Sequence, residues 1–278
     1  MDTATAAGVY TDLNLPSISI AVTAMILFVS LPVCAVLGFA IGHRVRKRLL
    51  RARRDIDVMV AETTLGAFLA LLGLLLAFTF GNSLNYFNDR KVAMTTEANA
   101  IGTAFLRADL LAEPQQLELK DALLDYARTR VSSGSGTMPG QESALRKLDR
   151  SLQLQAQLWP LALEATAEPM PPATRSFVLA AINDVLDAHT VRIAKLSLPV
   201  SKYANAMMFV SALAAVFLLG NRAGMVGRKL TWRTFFFSGF LFVVMITIVD
   251  TQRATEGLIV IDQTPLKAVI FDMETTIR

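Results

Sequence analysis

Residues 60–111 read VAETTLGAFLALLGLLLAFTFGNSLNYFNDRKVAMTTEANAIGTAFLRADLL, and this stretch decides the fold. Its first part, residues 60–81, is almost wholly apolar and long enough to cross a bilayer, which takes about 20 helical residues. No proline interrupts the chain from residue 60 until Pro114. We therefore expect one helix that crosses the membrane and continues through residues 82–111 as a stalk into a water-exposed domain.

Small residues recur every three or four positions along this membrane span, at Gly66, Ala70, Gly73, Ala77 and Gly81. That spacing places all five on one side of the helix, which we call the small-residue face. Such a face lets another helix backbone approach closely, so the simpler interpretation is packing against a neighbouring span of the same chain. The alternative interpretation is that the face lines a pore in an oligomer.

Composition indicates an integral membrane protein. Of the 278 residues, 53% are hydrophobic, and the mean hydropathy is +0.46. Soluble domains are usually about 45–50% apolar on a count that also includes glycine. The excess lies in four blocks, each predicted to span the membrane as a helix, at residues 17–42, 60–81, 199–220 and 234–249. In the first block, Gly38 and Gly42 form a G-x-x-x-G pair, a pattern found at helix-packing faces.

We predict an all-α membrane protein with four transmembrane helices and a helical bundle inserted between helices 2 and 3. The bundle region, residues 83–198, carries 12 Lys/Arg and 13 Asp/Glu, a balance that suits a solvated domain. Amphipathic spacing predicts three helices after the stalk, separated by a Gly/Ser loop at 132–140 and a Pro-rich break. The expected parts of the chain are a tail at 1–16, helices 1 and 2 at 17–82, the bundle at 83–198, helices 3 and 4 at 199–250, and a tail at 251–278.

Positive charge is concentrated in two loops predicted to connect the spans. Residues 43–55 hold seven Lys/Arg and residues 221–233 hold four, so 11 of the chain's 27 lie there. Basic clusters beside membrane spans usually set topology, and we therefore exclude nucleic acid as a partner. Because short basic loops stay in the cytoplasm, we expect an inner-membrane protein whose termini and residues 83–198 lie on the periplasmic or extracytoplasmic side.

The sequence shows no pattern typical of catalysis or of a cofactor site. Cys34 is the only cysteine, which excludes an intrachain disulfide. His189 has only His43 as a second histidine, whereas a metal site needs several converging ligands, so we expect His189 to be a core residue. Phosphate-binding, nucleophile-elbow and metalloprotease motifs are absent from the sequence. We expect no enzyme activity, no cofactor and no bound metal.

Four charged residues are candidates for structural ion pairs. Arg90 and Glu97 lie seven residues apart on one face of the stalk, where a buried pair would orient the stalk against the bundle. The alternative for these stalk charges is a ring around a portal. Asp250 and Arg253, three residues apart, are expected to pair locally at the end of the fourth span. Glu62 lies near the basic end of the second span and is expected to be solvated or paired with a loop arginine.

Several of these stretches resemble a family of bacterial membrane proteins with a bestrophin-like domain. The resemblance rests on the basic loop, Pro114, and the motifs LLLAF at 74–78, EANAIG at 97–102 and LRADLL at 106–111. The tail resembles the family pattern D-x-D-R-P-x-x-G-L-I, which here reads DTQRATEGLI at 250–259. Gln252 replaces the second acidic residue of that pattern, and Ala254 replaces its proline. The resemblance covers residues 44–270.

The resemblance implies a membrane protein related to bestrophins, which are pentameric anion channels with the second span lining the pore. It implies a homo-oligomer in the lipid bilayer that conducts small inorganic anions or has a related transport role. In bestrophins the large helical domain is cytosolic, which is opposite to the orientation predicted from the basic loops. The second functional hypothesis is a non-conducting module whose bundle senses or binds a partner while the spans only anchor it.

Overall fold

The computed structural model describes residues 18–52, 58–131, 141–167, 169–197, 202–253 and 257–277. The N-terminal tail, the Gly/Ser loop at 132–140 and the end of the first basic loop lie outside these residues. All regular structure in the described part is helical, which confirms the all-α prediction. The α-helices are α1 Ile20–Arg51, α2 Val58–Arg107, α3 Gln115–Arg130, α4 Gln141–Ala165, α5 Pro172–Ser197, α6 Lys202–Val226, α7 Trp232–Gln252 and α8 Thr264–Ile277.

Four of these helices, α1, α2, α6 and α7, are long and apolar enough to cross a membrane, judged by length and composition. The three helices α3, α4 and α5 lie between α2 and α6 in the chain, as predicted for a bundle inserted between spans 2 and 3. The helix α2 has 50 residues, which corresponds to about 75 Å at 1.5 Å per residue. A hydrocarbon core of about 30 Å accommodates only part of it. The prediction of one helix that continues as a stalk is therefore confirmed, but the α-helix ends at Arg107, four residues before the expected end at residue 111.

Some helix boundaries differ from the sequence prediction. The first span was expected to end at residue 42, but α1 continues through the basic stretch to Arg51. The third span was expected to end at residue 220, but α6 continues to Val226. The helix of the fourth span is also longer than the expected 234–249, since α7 covers Trp232–Gln252. A run of charged residues ends a membrane span, but Lys and Arg are good helix formers and do not end a helix.

The chain divides into two compact units, and the division falls within α2. The membrane unit comprises Pro16–Asn85 and Pro199–Arg253. The bundle unit includes Tyr86–Leu198 and Ala254–Arg278. In the bundle unit, Leu266 and Met273 of the tail helix α8 are 0% and 1% exposed and belong to the same hydrophobic core as the stalk and α3. The tail helix therefore packs into the core of the bundle unit.

Four glycines bring α1 and α6 together in the membrane unit. Gly38 and Gly42 are buried on α1, and Gly220 and Gly224 are buried on α6. A Cβ on any of the four would overlap a backbone oxygen of the facing helix. Backbones this close are typical of small-residue interfaces between membrane helices. The interpretation of Gly38 and Gly42 as a packing face is confirmed.

Candidate functional site

Among the residues that the structure describes, no other helix of the membrane unit covers the small-residue face of α2. All five of its residues are exposed, and a Cβ at Gly66, Gly73 or Gly81 would meet no atom within 4 Å. The expectation that this face packs against a neighbouring span of the same chain is therefore wrong. The buried side chains of α2 in this unit lie on another side of the helix, about 135° from the small-residue face when each residue turns the helix by 100°. They are Leu65, Leu72, Thr79 and Ser83.

Burial differs widely among the four candidate spans. In the most apolar window of each helix, 44% of the residues of α7 are buried but only 11% of those of α2. Of the four spans, α2 thus has the smallest share of buried residues in this window. The other side chains of the window are left to contact lipid, water or another copy.

Glu62 is the only ionisable residue in the second span, residues 60–81. Its carboxylate forms an ion pair with Arg222 of α6. Of the two expectations for Glu62, solvation or pairing with a loop arginine, the structure has the pairing; Arg222 belongs to the stretch expected to form the second basic loop, which here is still helical. The negative charge next to the small-residue face is thereby compensated by a positive one.

An amide cluster joins three helices at the opposite end of the membrane unit from Glu62. Asn205 of α6 donates from Nδ2 to Gln252 Oε1 of α7 at 2.9 Å. Gln252 Nε2 lies 3.0 Å from Ser83 Oγ of α2 and 3.2 Å from Asn205 Oδ1. Gln252 is the residue that replaces an acid in the tail pattern, and sequence reasoning did not assign it these contacts.

The two charged residues that match the tail pattern, Asp250 and Arg253, flank Gln252 in sequence. Asp250 is 4% exposed, and Arg253 Nη2 donates to Thr23 Oγ1 of α1 at 3.2 Å. The backbone N–H of Arg253 donates to Asp250 O at 3.0 Å and closes the end of α7. The ion pair between their side chains stays a prediction.

A buried charge cluster lies in the core of the bundle unit around Glu97, whose side chain is 0% exposed. Arg130 of α3 donates from Nε to Glu97 Oε1 at 2.8 Å. Arg192 of α5 binds the other carboxylate oxygen, and Tyr126 donates to Oε1 at 2.7 Å. Three helices thus converge on one carboxylate, which fixes their relative positions within this unit.

Sequence reasoning identified Glu97 as an ion-pair residue but named Arg90 as its partner. Arg90 lies seven residues earlier, which is about 10 Å along the helix, and its Nε donates to Lys195 O at 3.4 Å. The arginines that bind Glu97 come from other helices, at 33 and 95 residues' distance in sequence. No helical spacing relates such positions, so the sequence carried no signal for them.

His189 completes the cluster, with its Nδ1 2.9 Å from the Tyr126 hydroxyl. An ionised Glu97 only accepts, so the tyrosine proton points to Glu97 and the hydroxyl oxygen accepts from Nδ1–H. Nε2 then carries a lone pair, and it is buried without a hydrogen-bond partner among the described residues. Burial, followed by the charge of Arg130, lowers the pKa of His189 from 6.5 to about 4. The imidazole is therefore neutral at pH 7, as expected for a core histidine.

The ionisable side chains of this cluster keep one protonation state at pH 7, and its described residues show no feature of a metal centre. Burial is the main cause that raises the pKa of Tyr126 well above 10, with the Glu97 charge second, so the phenol stays protonated. Two guanidinium groups surround one carboxylate, which leaves an excess of one positive charge in this cluster. No group of three or more His, Cys, Asp or Glu side chains that could hold a metal occurs in the part of the chain that the structure describes.

The profile of the bestrophin-like domain matches residues 29–266. The chain belongs to this family. Crystal structures of a bacterial bestrophin homologue from Klebsiella pneumoniae resemble this bestrophin-like chain. The structure phased by Zn-SAD is 12% identical to this chain, with a TM-score of 0.62. The match covers 89% of this chain and 96% of that one. Two structures of single-residue variants are each 13% identical to this chain. The first has a TM-score of 0.64, and the match covers 91% of this chain and 97% of that one. The second has a TM-score of 0.63, and the match covers 93% of this chain and 97% of that one.

Identities this low show a shared fold, and the match extends over nearly all of both chains. The membrane unit and the bundle unit of the bestrophin-like chain therefore both belong to the common architecture. No functionally curated protein matches the sequence. The family predicted from the sequence motifs is confirmed, and with it the assignment as an integral membrane protein.

Proposed function

We propose that this chain assembles into an oligomeric channel for small inorganic anions, with the small-residue face of α2 along the conducting path. The observation that carries the proposal is that this face is exposed, whereas the glycine faces of α1 and α6 are occupied by each other. One chain supplies one α2, so a closed path made from this helix needs several copies. Membership in the bestrophin-like family supports the same assignment.

The chemistry of the face suits an uncharged passage. Gly66, Gly73 and Gly81 add no side chain to the path, and Ala70 and Ala77 add only a methyl group. Apolar constrictions of this kind gate by losing and regaining water. The pairing of Glu62 with Arg222 removes the one negative charge of the span that would repel an anion.

Conduction and assembly are tested together on purified protein. Chloride flux would be measured in liposomes, and the number of subunits in detergent, for wild type and for Gly73→Leu. We expect an oligomer that conducts, and we expect Gly73→Leu to lose flux or assembly because a leucine would fill the path. Gly239→Leu is the matched control, since Gly239 also has no atom within 4 Å of an added Cβ but lies on α7. It should leave both properties unchanged.

A strictly monomeric protein, or flux that Gly73→Leu leaves unchanged, would remove α2 from the mechanism. An intact oligomer without flux would favour the second hypothesis, a non-conducting module whose bundle binds a partner. That outcome would leave the fold and the family unaffected. No enzyme activity forms part of either proposal.

We also propose that the bundle faces the periplasm or the extracytoplasmic side of the inner membrane. What supports this is the basic character of residues 43–55 and 221–233, which favours retention in the cytoplasm. Exposed positions for cysteine labelling are Ala52 at the end of α1 and Ser176 on α5. In a Cys34→Ala background, an impermeant thiol reagent should label Ser176→Cys but not Ala52→Cys when the inner membrane is intact. The reverse pattern would overturn this orientation.

A further inference from the structure

Exposed cations cluster at one end of the membrane unit. Seven Lys and Arg side chains at the end of α1 and at the α6–α7 turn are exposed. We call them the basic patch; they are Arg44, Lys47, Arg48, Arg51, Arg228, Lys229 and Arg233. The acid nearest to them on α2, Glu62, is already paired with Arg222. The other acid among the described residues of the membrane unit, Asp250, lies at the far end of α7, so this end carries a large excess of positive charge.

The fold itself brings the two halves of the patch together. The glycine interface between α1 and α6 continues to this end, where a Cβ at Gly224 would overlap Phe39 O and lie 2.7 Å from His43 N. One turn later, the guanidinium group of Arg46 lies directly against Gly227, at the place where any other residue would carry its Cβ. Gly227 also has φ +80°, a conformation that favours glycine. Arg46 thus connects the end of α1 to the α6–α7 turn.

Aromatic residues beside the patch mark the level of the membrane surface. Trp232 and Phe236 are 69% and 68% exposed and stack edge to face at 6.0 Å. Trp at the end of an apolar span is typical of the interface between hydrocarbon and headgroups. Arg233 follows Trp232 directly in sequence. The patch thus adjoins the N-terminal end of α7, where the apolar residues of that helix begin. We therefore expect the cations to lie at the depth of lipid phosphates.

We propose that the basic patch is a binding site for the headgroups of anionic phospholipids. Arginine presents several N–H donors in a planar fork that matches phosphate, and lysine adds point charges. Basic residues beside membrane spans attract anionic lipids, each contributing about fivefold in affinity near the surface. This site does not depend on whether the chain conducts, because no residue of the small-residue face belongs to it.

The test compares phosphatidylglycerol with zwitterionic phosphatidylcholine on the full-length protein in detergent. Native mass spectrometry would give the number of bound lipids, and titration would give the binding midpoint. We expect phosphatidylglycerol to bind more tightly than phosphatidylcholine. Added salt should weaken the binding of phosphatidylglycerol, since exposed charges are screened. The patch variant Arg48→Gln, Arg228→Gln and Lys229→Gln should bind it on the order of 100-fold more weakly.

A matched control removes three exposed cations of the bundle unit, which lie outside the patch; it carries Lys91→Gln, Arg150→Gln and Arg175→Gln. This control should bind phosphatidylglycerol like the wild type. Equal binding of the two lipids by the wild type, or equal losses in both variants, would overturn the proposal. Displacement of the lipid by millimolar inorganic phosphate would also overturn it, because the site would then recognise the free anion.

Discussion

The Nδ1 atom of His189 lies 2.9 Å from the hydroxyl oxygen of Tyr126, and both side chains are at most 1% exposed. Because the tyrosine proton is engaged by Glu97, this contact fixes the histidine as the Nδ1–H tautomer. The groups that face the imidazole are the hydroxyl and Arg130 on α3, Glu97 on the stalk and Arg192 on α5. Protonation at Nε2 would add a third positive charge to this buried site.

The first prediction is that acid destabilises the protein through His189. Its pKa is about 4 when folded against 6.5 when unfolded, so between these values the unfolded chain binds a proton that the folded chain does not. The free energy of unfolding therefore falls as the pH falls through this window, by about 3 kcal/mol in total. In His189→Asn the amide keeps a donor for Tyr126 but does not titrate.

Thermal unfolding in detergent at pH 7 and pH 5 would measure this effect. The midpoint of the wild type should fall more between these pH values than that of His189→Asn. All carboxylates titrate in both proteins, so the difference between them isolates His189. Equal acid sensitivity of the two proteins would contradict the tautomer and the lowered pKa.

The second prediction concerns the central carboxylate of the charge cluster. Glu97→Gln leaves Arg130 and Arg192 buried without a counter-ion and should cost about 3–5 kcal/mol of stability. Asp89→Asn is the control on the same helix, because Asp89 pairs with Lys195 at 2.8 Å with side chains 50% and 36% exposed. That substitution should cost about 0–1 kcal/mol. Denaturant or thermal unfolding that ranks the two substitutions equally would disprove the special position of Glu97.

The third prediction uses glycines with opposite surroundings in the membrane unit. Gly38→Ala would push a methyl group into Phe217 O of α6, which should cost about 1–3 kcal/mol or more, since a backbone cannot change rotamer. Gly239→Ala meets no atom within 4 Å and should stabilise α7 by up to about 1 kcal/mol through helix propensity. Apparent melting temperatures should therefore shift in opposite directions. Shifts of the same sign would show that α1 and α6 are not in close contact there.

The sequence was sufficient for the architecture because long apolar blocks and the proline-free run after residue 60 are local features. It also located two of the key residues, Glu97 and Glu62. It could not rank the glycine faces, since Gly38 and Gly73 have the same spacing pattern while only Gly38 has a helix against it. The spacing shows that one face of a helix consists of small residues, and only the folded structure shows whether another helix packs against that face.

The partners of Glu97 and Gln252 were beyond the reach of sequence reasoning for a related reason. Arg130, Arg192 and Asn205 come from helices that are distant in the chain, and their side chains converge only after folding. The buried face of α4 is a similar case. Trp159 and Leu163 are 37% and 38% exposed, whereas Leu154 and Leu158 are 7% and 0% exposed. The helix has several apolar stripes, and contact with α3 and α5 selects among them.

The last prediction is that the amides of Asn205 and Gln252 are energetically coupled. Each donates to the other's oxygen, at 2.9 and 3.2 Å, and Gln252 also reaches Ser83 on the helix that carries the small-residue face. A double-mutant cycle with Asn205→Ala, Gln252→Ala and the pair should give a coupling of about 0.6–2 kcal/mol, the range for hydrogen bonds between membrane helices. Asn205→Ala with Thr247→Ala is the control cycle, because the Thr247 hydroxyl donates to Val243 O of its own helix. It should give additive losses, since the two side chains share no partner. Coupling of similar size in both cycles would mean that α6 and α7 respond as a whole, and that the amide pair does not specifically hold them together.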